Sequence, residues 1–376
     1  MKLEKFIILL EELGVGFYTG VPDSKLKSLC NYLIKSYGVS DKHIIAANEG
    51  NAVALAAGYH LSTGATPCVY LQNSGLGNIV NPVASLLNDK VYGIPCVFVV
   101  GWRGEPGLHD EPQHVFQGQI TTELLEVMDI DYMVLDKDTN IDDLSSKLSD
   151  FKEILSKGKS VAFLVKQGGL EYDEKVHYKN DNSVKRETII EAITNVAKGD
   201  IIVATTGKSS RELFEIRERR GESHKYDFLT VGSMGHSSSI ALGVAINKPS
   251  SRVWCIDGDG AALMHLGAMP VIGAHAPENY IHVIINNGAH ESVGGQPTVG
   301  SSIDLVQIAL GSGYKKAYSI SSLDSLRDLL SEVTNEKGPI MIEIKAAIGS
   351  RDDLGRPTTS PKDNKKAFMD FLRECE

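Results

Sequence analysis

The segment from Arg252 to Gly288 restricts the possible folds more than any other stretch. An apolar run, Arg252-Val-Trp-Cys-Ile256, stops at Asp257-Gly258-Asp259-Gly260. A helical stretch follows, and a second apolar run, Tyr280 to Ile285, stops at Asn286-Asn287-Gly288. Two short apolar runs on either side of a helix read as a βαβ unit whose strands lie side by side and parallel. Ligands in such sheets sit beyond the carboxyl ends of the strands. Asp259 and Asn287 are therefore expected there together. Both offer hard oxygen donors suited to Mg²⁺, which also takes phosphate oxygens and water. Gly260 and Ala261 open the following helix, where unpaired N–H groups and the helix dipole favour a phosphate. Alone, Gly-Asp-Gly would read as a tight turn and Asn-Asn as a strand-end turn. The pair, each behind a buried-strand pattern, points instead to a metal and a diphosphate in one place.

The rest of the chain bounds the problem. Its 376 residues leave room for two or three cores. A net charge of −10 with no basic run argues against a nucleic-acid surface, but not against an anionic substrate bound by local cations. The five cysteines are scattered, with no C-x-x-C pair, which fits a reducing cytoplasmic setting. The opening MKLEKFIILLEELG reads as an amphipathic helix rather than a signal peptide, and no apolar run approaches membrane-spanning length. Strands alternate with helices in both halves. Between them, residues 168–185 (GGLEYDEKVHYKNDNSVK) lose apolar periodicity and read as a linker. The expected architecture is α/β, with one domain over 1–167 and another over 186–376.

Several residues in the first half stand out. Asp23 and Ser24 follow a short strand, where capping the next helix is the plain reading. Glu49 opens a small-residue helix directly after the strand HIIAA. A carboxylate in a helix's first turn is favoured by the dipole, so the position alone leaves its role open. Asn73 to Asn78 form a Gly-rich turn. The loop 101–119 gathers Arg103, His109, Asp110 and His114 at the same end of the sheet as Glu49. Loops on a rigid scaffold often carry function. In the second half, Gly207-Lys208-Ser209 follows a strand but lacks the upstream glycine of a Walker A loop. Met234 sits between glycines in Gly232-Ser-Met-Gly235, where core filling is the ordinary expectation.

Gly-Asp-Gly followed after 25 residues by Asn-Asn resembles the metal–diphosphate motif of thiamine diphosphate enzymes. The segments NEGNA at 48–52 and GSMG at 232–235 are similar to two further motifs of that family. The resemblance implies two doubly wound parallel-sheet domains, a pyrimidine-binding one and then a diphosphate-binding one. The middle domain of larger members is missing. It implies that Asp259, Asn287 and the carbonyl of Ala289 hold Mg²⁺, and that Gly207, Gly258, Gly260, Ala261 and His290 surround thiamine diphosphate. Glu49 would bond the aminopyrimidine nitrogen, with Asn78 nearby. The Gly232 carbonyl would accept from the pyrimidine amino group, and Met234 would wedge under the cofactor. The segments GVPDS, GWRGEPG, DEPQH and INNGAHESVGGQPT most resemble the compact decarboxylases of phosphonopyruvate, with those of sulfopyruvate as near relatives. A small anionic 2-oxo acid would then meet Ser24, Arg103, Asp110 and His290, with Arg103 as the first candidate for the phosphonate. Asp23, His109 and His114 would handle protons. The active unit would be a homodimer or homotetramer with sites between chains. A carboligase or oxidase on the same cofactor, or an α/β nucleotide-binding module, are the competing readings. Neither a nucleic acid nor a membrane is expected as a partner.

Overall fold

Strands rich in Val, Ile and Phe build two all-parallel sheets, and inner strands such as Val97–Gly101 and Tyr280–Asn286 are buried along their whole length. The computed structural model describes residues 1–375, the side chains of 141–143 excepted. The chain divides into two units, Met1–His177 and Tyr178–Glu376. In the first unit the strands are β1 (Val15–Gly20), β2 (His43–Ile45), β3 (Thr66–Gln72), β4 (Val97–Gly101), β5 (Asp131–Leu135) and β6 (Val161–Val165). Their order across the sheet is β2-β1-β3-β4-β6-β5. The second unit has β7 (Ile201–Ala204), β8 (Asp227–Leu229), β9 (Val253–Gly258) and β10 (Tyr280–Asn286). A small hairpin, β11 (Ala289–His290) with β12 (Gln296–Pro297), comes next, followed by β13 (Lys316–Ile320) and β14 (Ile340–Lys345). Its main sheet runs β13-β14-β10-β9-β7-β8.

Each sheet is covered on both faces, and alternate residues of one strand enter different cores. Val97 and Val99 of β4 join the cluster around Phe6, Leu29 and Phe163. Phe98 and Val100 join the one around Val53, Leu71 and Ile79. In the second unit Trp254 and Ile256 of β9 face the cluster of Ile189 and Phe214. Val253 and Cys255 face that of Ala241 and Phe371. This is the doubly wound arrangement the resemblance implied, once in each unit. Burial on both faces is what makes the strands read as continuous apolar runs. Among the described residues, no helix is long and apolar enough to cross a membrane.

Strand order decides where a ligand can sit. In the first unit β1 lies between β2 and β3, and in the second β7 lies between β8 and β9. Chain direction across the sheet reverses at these two places, and a crevice opens beyond the strand ends. The loops there carry Asp23 and Gln72 in one unit, and Gly207, Met234 and Asp259 in the other.

Some local detail departs from the sequence reading. The helix after β1 begins at Lys27 and its N-cap Leu26 offers no side-chain bond, so neither Asp23 nor Ser24 caps it. Asp23 instead closes a turn by accepting from the Lys25 N–H at 3.0 Å. Part of the stretch read as linker is anchored to the second unit: Asn180 Nδ2 donates to the carbonyls of Asn287 and Ala346, both at 2.9 Å. The segment after Asn287 forms the β11–β12 hairpin.

Strand β8, which leads into the Met234 turn, is held by a buried charge pair. Arg217, on the helix Lys208–Arg220, donates from Nε and Nη2 to the two oxygens of Asp227 at 3.0 and 3.1 Å. Both residues are buried. Arg217→Met leaves that carboxylate without its cation and is expected to lower unfolding stability by about 3 kcal/mol. Urea denaturation of the cofactor-free protein at pH 7 measures the loss.

Candidate active site

In the second unit the carboxyl ends of β7 to β10 converge on Asp259. This residue is 2% exposed and begins the helix Asp259–Met264. Burial pushes its carboxyl pKa up to about 6, while the Thr298 hydroxyl and the backbone N–H groups of Asn287 and Gly260 pull it back down. Thr298 Oγ1 donates to Asp259 Oδ2 in a short bond. These principal partners are neutral donors. A buried carboxylate without a cation is costly, so the position calls for a positive charge from elsewhere.

Neighbouring oxygens match a hard divalent ion. Asn287 Oδ1 accepts from the Ala289 N–H at 3.0 Å, and Asn287 Nδ2 donates to Glu291 Oε2 at 2.9 Å. Ala289 pairs across the hairpin with Pro297, which has no N–H to give the Ala289 carbonyl. Carboxylate, side-chain amide oxygen and main-chain carbonyl are the donor set that Mg²⁺ takes, so these residues fit the ion.

Three motifs far apart in sequence meet at Gly260. A Cβ there would lie 3.2 Å from the His290 ring and 3.4 Å from Met234 Cε. At Gly300 a Cβ would come within 2.8 Å of Asp259 Oδ2. The Met234 turn itself needs unusual backbone: Ser233 has φ 55° and Gly235 φ 86°. A Cβ on Gly235 would approach the Ala261 carbonyl to 2.9 Å, so this turn lies against the start of the helix after β9. Gly207, at φ 94°, begins the helix after β7 and lies beside Ser292. Gly232 and Gly258 are partly buried on either side of the same crevice. His290 is buried, and burial lowers its pKa to about 4, so at pH 7 it is a neutral imidazole and not a reservoir of protons. Beneath the turn, Asp257 Oδ1 accepts from the Gly258 N–H at 3.0 Å. His282 Nε2 lies 3.6 Å from the other Asp257 oxygen, and the Tyr314 hydroxyl meets His282 Nδ1 at 3.0 Å.

Glu49 in the first unit is 5% exposed, and its Oε2 accepts from Asn78 Nδ2 at 2.7 Å. A Cβ on Gly75 would stand 2.5 Å from Glu49 Oε1. The 73–78 turn is thus shaped around this carboxylate. Asn73 grips the backbone of Arg103, accepting from its N–H at 3.0 Å and donating to its carbonyl at 2.8 Å.

A second group in this unit gathers Asp23, Ser24, Arg103, Asp110 and His114. Arg103 Nε and Nη2 donate to the two Asp110 oxygens at 2.9 and 2.6 Å, and Nη1 donates to Ser24 Oγ at 3.2 Å. The planar fork expected to face the phosphonate is therefore already matched along its Nε–Nη2 edge to a carboxylate, leaving the Nη1 side as the edge turned to Ser24. Asp110 also accepts from the N–H groups of Gly104 and Glu111. The Arg103 hydrogen bond holds the Asp110 carboxyl well below the usual range. Asp23 is fully buried; burial raises its pKa, opposed by Gln72, the Lys25 N–H and Arg103. Gly101 makes room for it, since a Cβ there would meet Asp23 Oδ2 at 2.2 Å. Burial, with Arg103, lowers His114 to about 4, and its buried Nδ1 has no partner. His109 is exposed and joins none of these bonds.

Sequence reasoning missed Thr298, Gly300, Asn180 and Arg186. The first two lie in a polar stretch without periodicity, and Arg186 looks like any charged residue at a helix start.

Asp110→Asn removes the bidentate partner of Arg103 and is expected to cost about 2 kcal/mol at pH 7. A carboxyl whose folded pKa is depressed contributes stability above its unfolded pKa and loses it as pH falls. The difference between the two proteins should hold from pH 7 to 5 and shrink below about pH 4. Denaturant titrations across that range read both numbers.

Comparison with known proteins agrees with the geometry. Residues 2–125 match the family described as thiamine pyrophosphate enzyme, N-terminal TPP binding domain, and residues 205–344 match its C-terminal TPP binding domain. The chain is similar to phosphonopyruvate decarboxylase of Streptomyces viridochromogenes, at 36% identity over 96% of this chain and 93% of the relative. It is similar to phosphonopyruvate decarboxylase of Streptomyces hygroscopicus, at 36% over 97% and 92%. Sulfopyruvate decarboxylase of Methanosarcina acetivorans is 25% identical over 98% of this chain and 97% of its own. With both cofactor-binding domains matched and the likeness running nearly end to end, the chain belongs to the thiamine pyrophosphate enzyme family, as one of its decarboxylases.

Proposed function

We propose that this chain converts 3-phosphonopyruvate to phosphonoacetaldehyde and CO₂, using thiamine diphosphate held through Mg²⁺, in the biosynthesis of phosphonates such as 2-aminoethylphosphonate. The observation that carries the substrate assignment is the near full-length likeness, at 36% identity, to two phosphonopyruvate decarboxylases, against 25% for the sulfopyruvate decarboxylase of Methanosarcina acetivorans over a similar length. The chain works in a reducing cytoplasm as a homodimer or homotetramer.

Bound thiamine diphosphate supplies the nucleophilic carbon and the electron sink that a 2-oxo acid needs to lose CO₂. Asp259, Asn287 and the Ala289 carbonyl would hold the metal. Gly260 leaves space for the diphosphate, and Met234 and His290 line it. Glu49 presents a carboxylate to the pyrimidine ring, oriented by Asn78 and backed by Gly75. Arg103 meets the substrate through Nη1 beside Ser24, since Asp110 takes one N–H from each of its other two nitrogens. Asp110 thereby sets which side of the guanidinium is offered. Asp23, whose burial favours its protonated form, and neutral His114 exchange protons with the reacting carbon.

CO₂ release from phosphonopyruvate, sulfopyruvate and pyruvate, each with thiamine diphosphate and Mg²⁺, tests the assignment. Clear preference for phosphonopyruvate is expected. Preference for sulfopyruvate would move the substrate but keep cofactor and chemistry, and product analysis for a condensed acid would detect a carboligase. Gly75→Ala probes Glu49 without removing it. The new methyl displaces the carboxylate, so kcat should fall about 100-fold, a loss on the scale of a mispositioned catalytic group. The melting temperature should move little.

A further inference from the structure

One acid beside the metal turn has no part in the scheme so far. Glu291 lies four residues beyond Asn287, and its side chain is only 9% exposed. Its Oε2 accepts from Arg186 Nη1 at 2.7 Å and from Asn287 Nδ2 at 2.9 Å. Its Oε1 accepts from Lys208 Nζ at 2.7 Å. Arg186 is fixed in turn by Glu212, through Nε and Nη2 at 2.7 and 2.8 Å. The group is two acids and two bases tied into one network, and its only neutral member is the amide of Asn287.

That amide has a problem of direction. Its two ends have nearly the same shape, but a hard cation accepts only the oxygen. A carboxylate can only accept a hydrogen bond, so Glu291 can be served only by the nitrogen. The Ala289 N–H can only donate, and it takes the oxygen at 3.0 Å. The two neighbours demand opposite ends, which leaves one orientation. Glu291 also neutralises Lys208 and half of the demand of Arg186, cations that would otherwise repel an ion bound nearby.

Resting on the Mg²⁺ reading above, we infer that Glu291 is a positioning residue for the metal site: it fixes the Asn287 amide with its oxygen toward the ion and screens the ion from Lys208 and Arg186. It acts through Asn287, Lys208 and Arg186, the groups it bonds. Partners of this kind commonly change metal affinity by about 10- to 100-fold when removed.

The test is a Mg²⁺ titration at fixed thiamine diphosphate, followed by melting temperature and by calorimetry, on wild-type protein and Glu291→Gln. The glutamine keeps the shape, removes the charge and can itself donate, so it no longer dictates which end of Asn287 faces it. The expected result is a Mg²⁺ midpoint raised about 10-fold or more, with kcat at saturating Mg²⁺ within a few-fold of wild type. A purely structural role would lower the metal-free melting temperature and leave the midpoint alone; that outcome overturns the inference. If the wild type itself shows no Mg²⁺-dependent shift, the metal reading has failed, and the variant's behaviour is not needed to see it. Should Glu291→Gln not fold, Glu291→Asp serves under the same criterion, because it keeps the charge and loses one methylene of reach.

Discussion

A carboxylate buried among neutral donors organises the second unit. Asp259 is almost wholly out of water, and its principal partners are a hydroxyl and backbone N–H groups. Everything around it suits a missing positive charge. Gly260 and Gly300 keep methyl groups away, and the β11–β12 hairpin delivers Thr298 to one Asp259 oxygen. Asn287 and the Ala289 carbonyl add neutral oxygen, not more negative charge. An ion held there would neutralise one buried acid rather than two, which would suit a site that also takes an anionic diphosphate.

The first unit meets the opposite problem. A substrate with two acidic ends, as proposed, would want cations, yet Arg103 at the strand ends is already paired. Arg103 and Asp110, seven positions apart, form a bidentate pair, and the Asn73 side chain staples the Arg103 backbone on either side. Such a pair gives direction more than charge: it holds the guanidinium in one plane and exposes one nitrogen beside Ser24. With His114 neutral, the local field comes largely from oriented donors.

What could be read from the sequence followed from strand ends. Asp259, Asn287, Glu49 and the Met234 turn each follow an apolar run, and an apolar run of a doubly wound sheet has only one functional end. The Gly260–His290–Met234 contact could be expected once the three runs were placed in one sheet. The misreadings came from segments whose conformation is decided by distant partners. Asp23 looked like a helix cap because Asp is a good cap; it turns inward because Gly101 leaves it space and Gln72 meets it. Thr298 and Asn180 are ordinary polar residues until the fold brings them to Asp259 and to the Asn287 carbonyl. Nothing in their local pattern records a partner 39 or 107 positions away.

The division of the chain falls between His177 and Tyr178, and the backbone passes from one unit to the other there. Each unit has its own sheet and its own pair of cores, so neither needs the other's strands to complete its packing. The covalent link is then a matter of stoichiometry and encounter. Translation of one message yields the two halves in equal number, and the tether keeps their local concentration high however dilute the cell's supply.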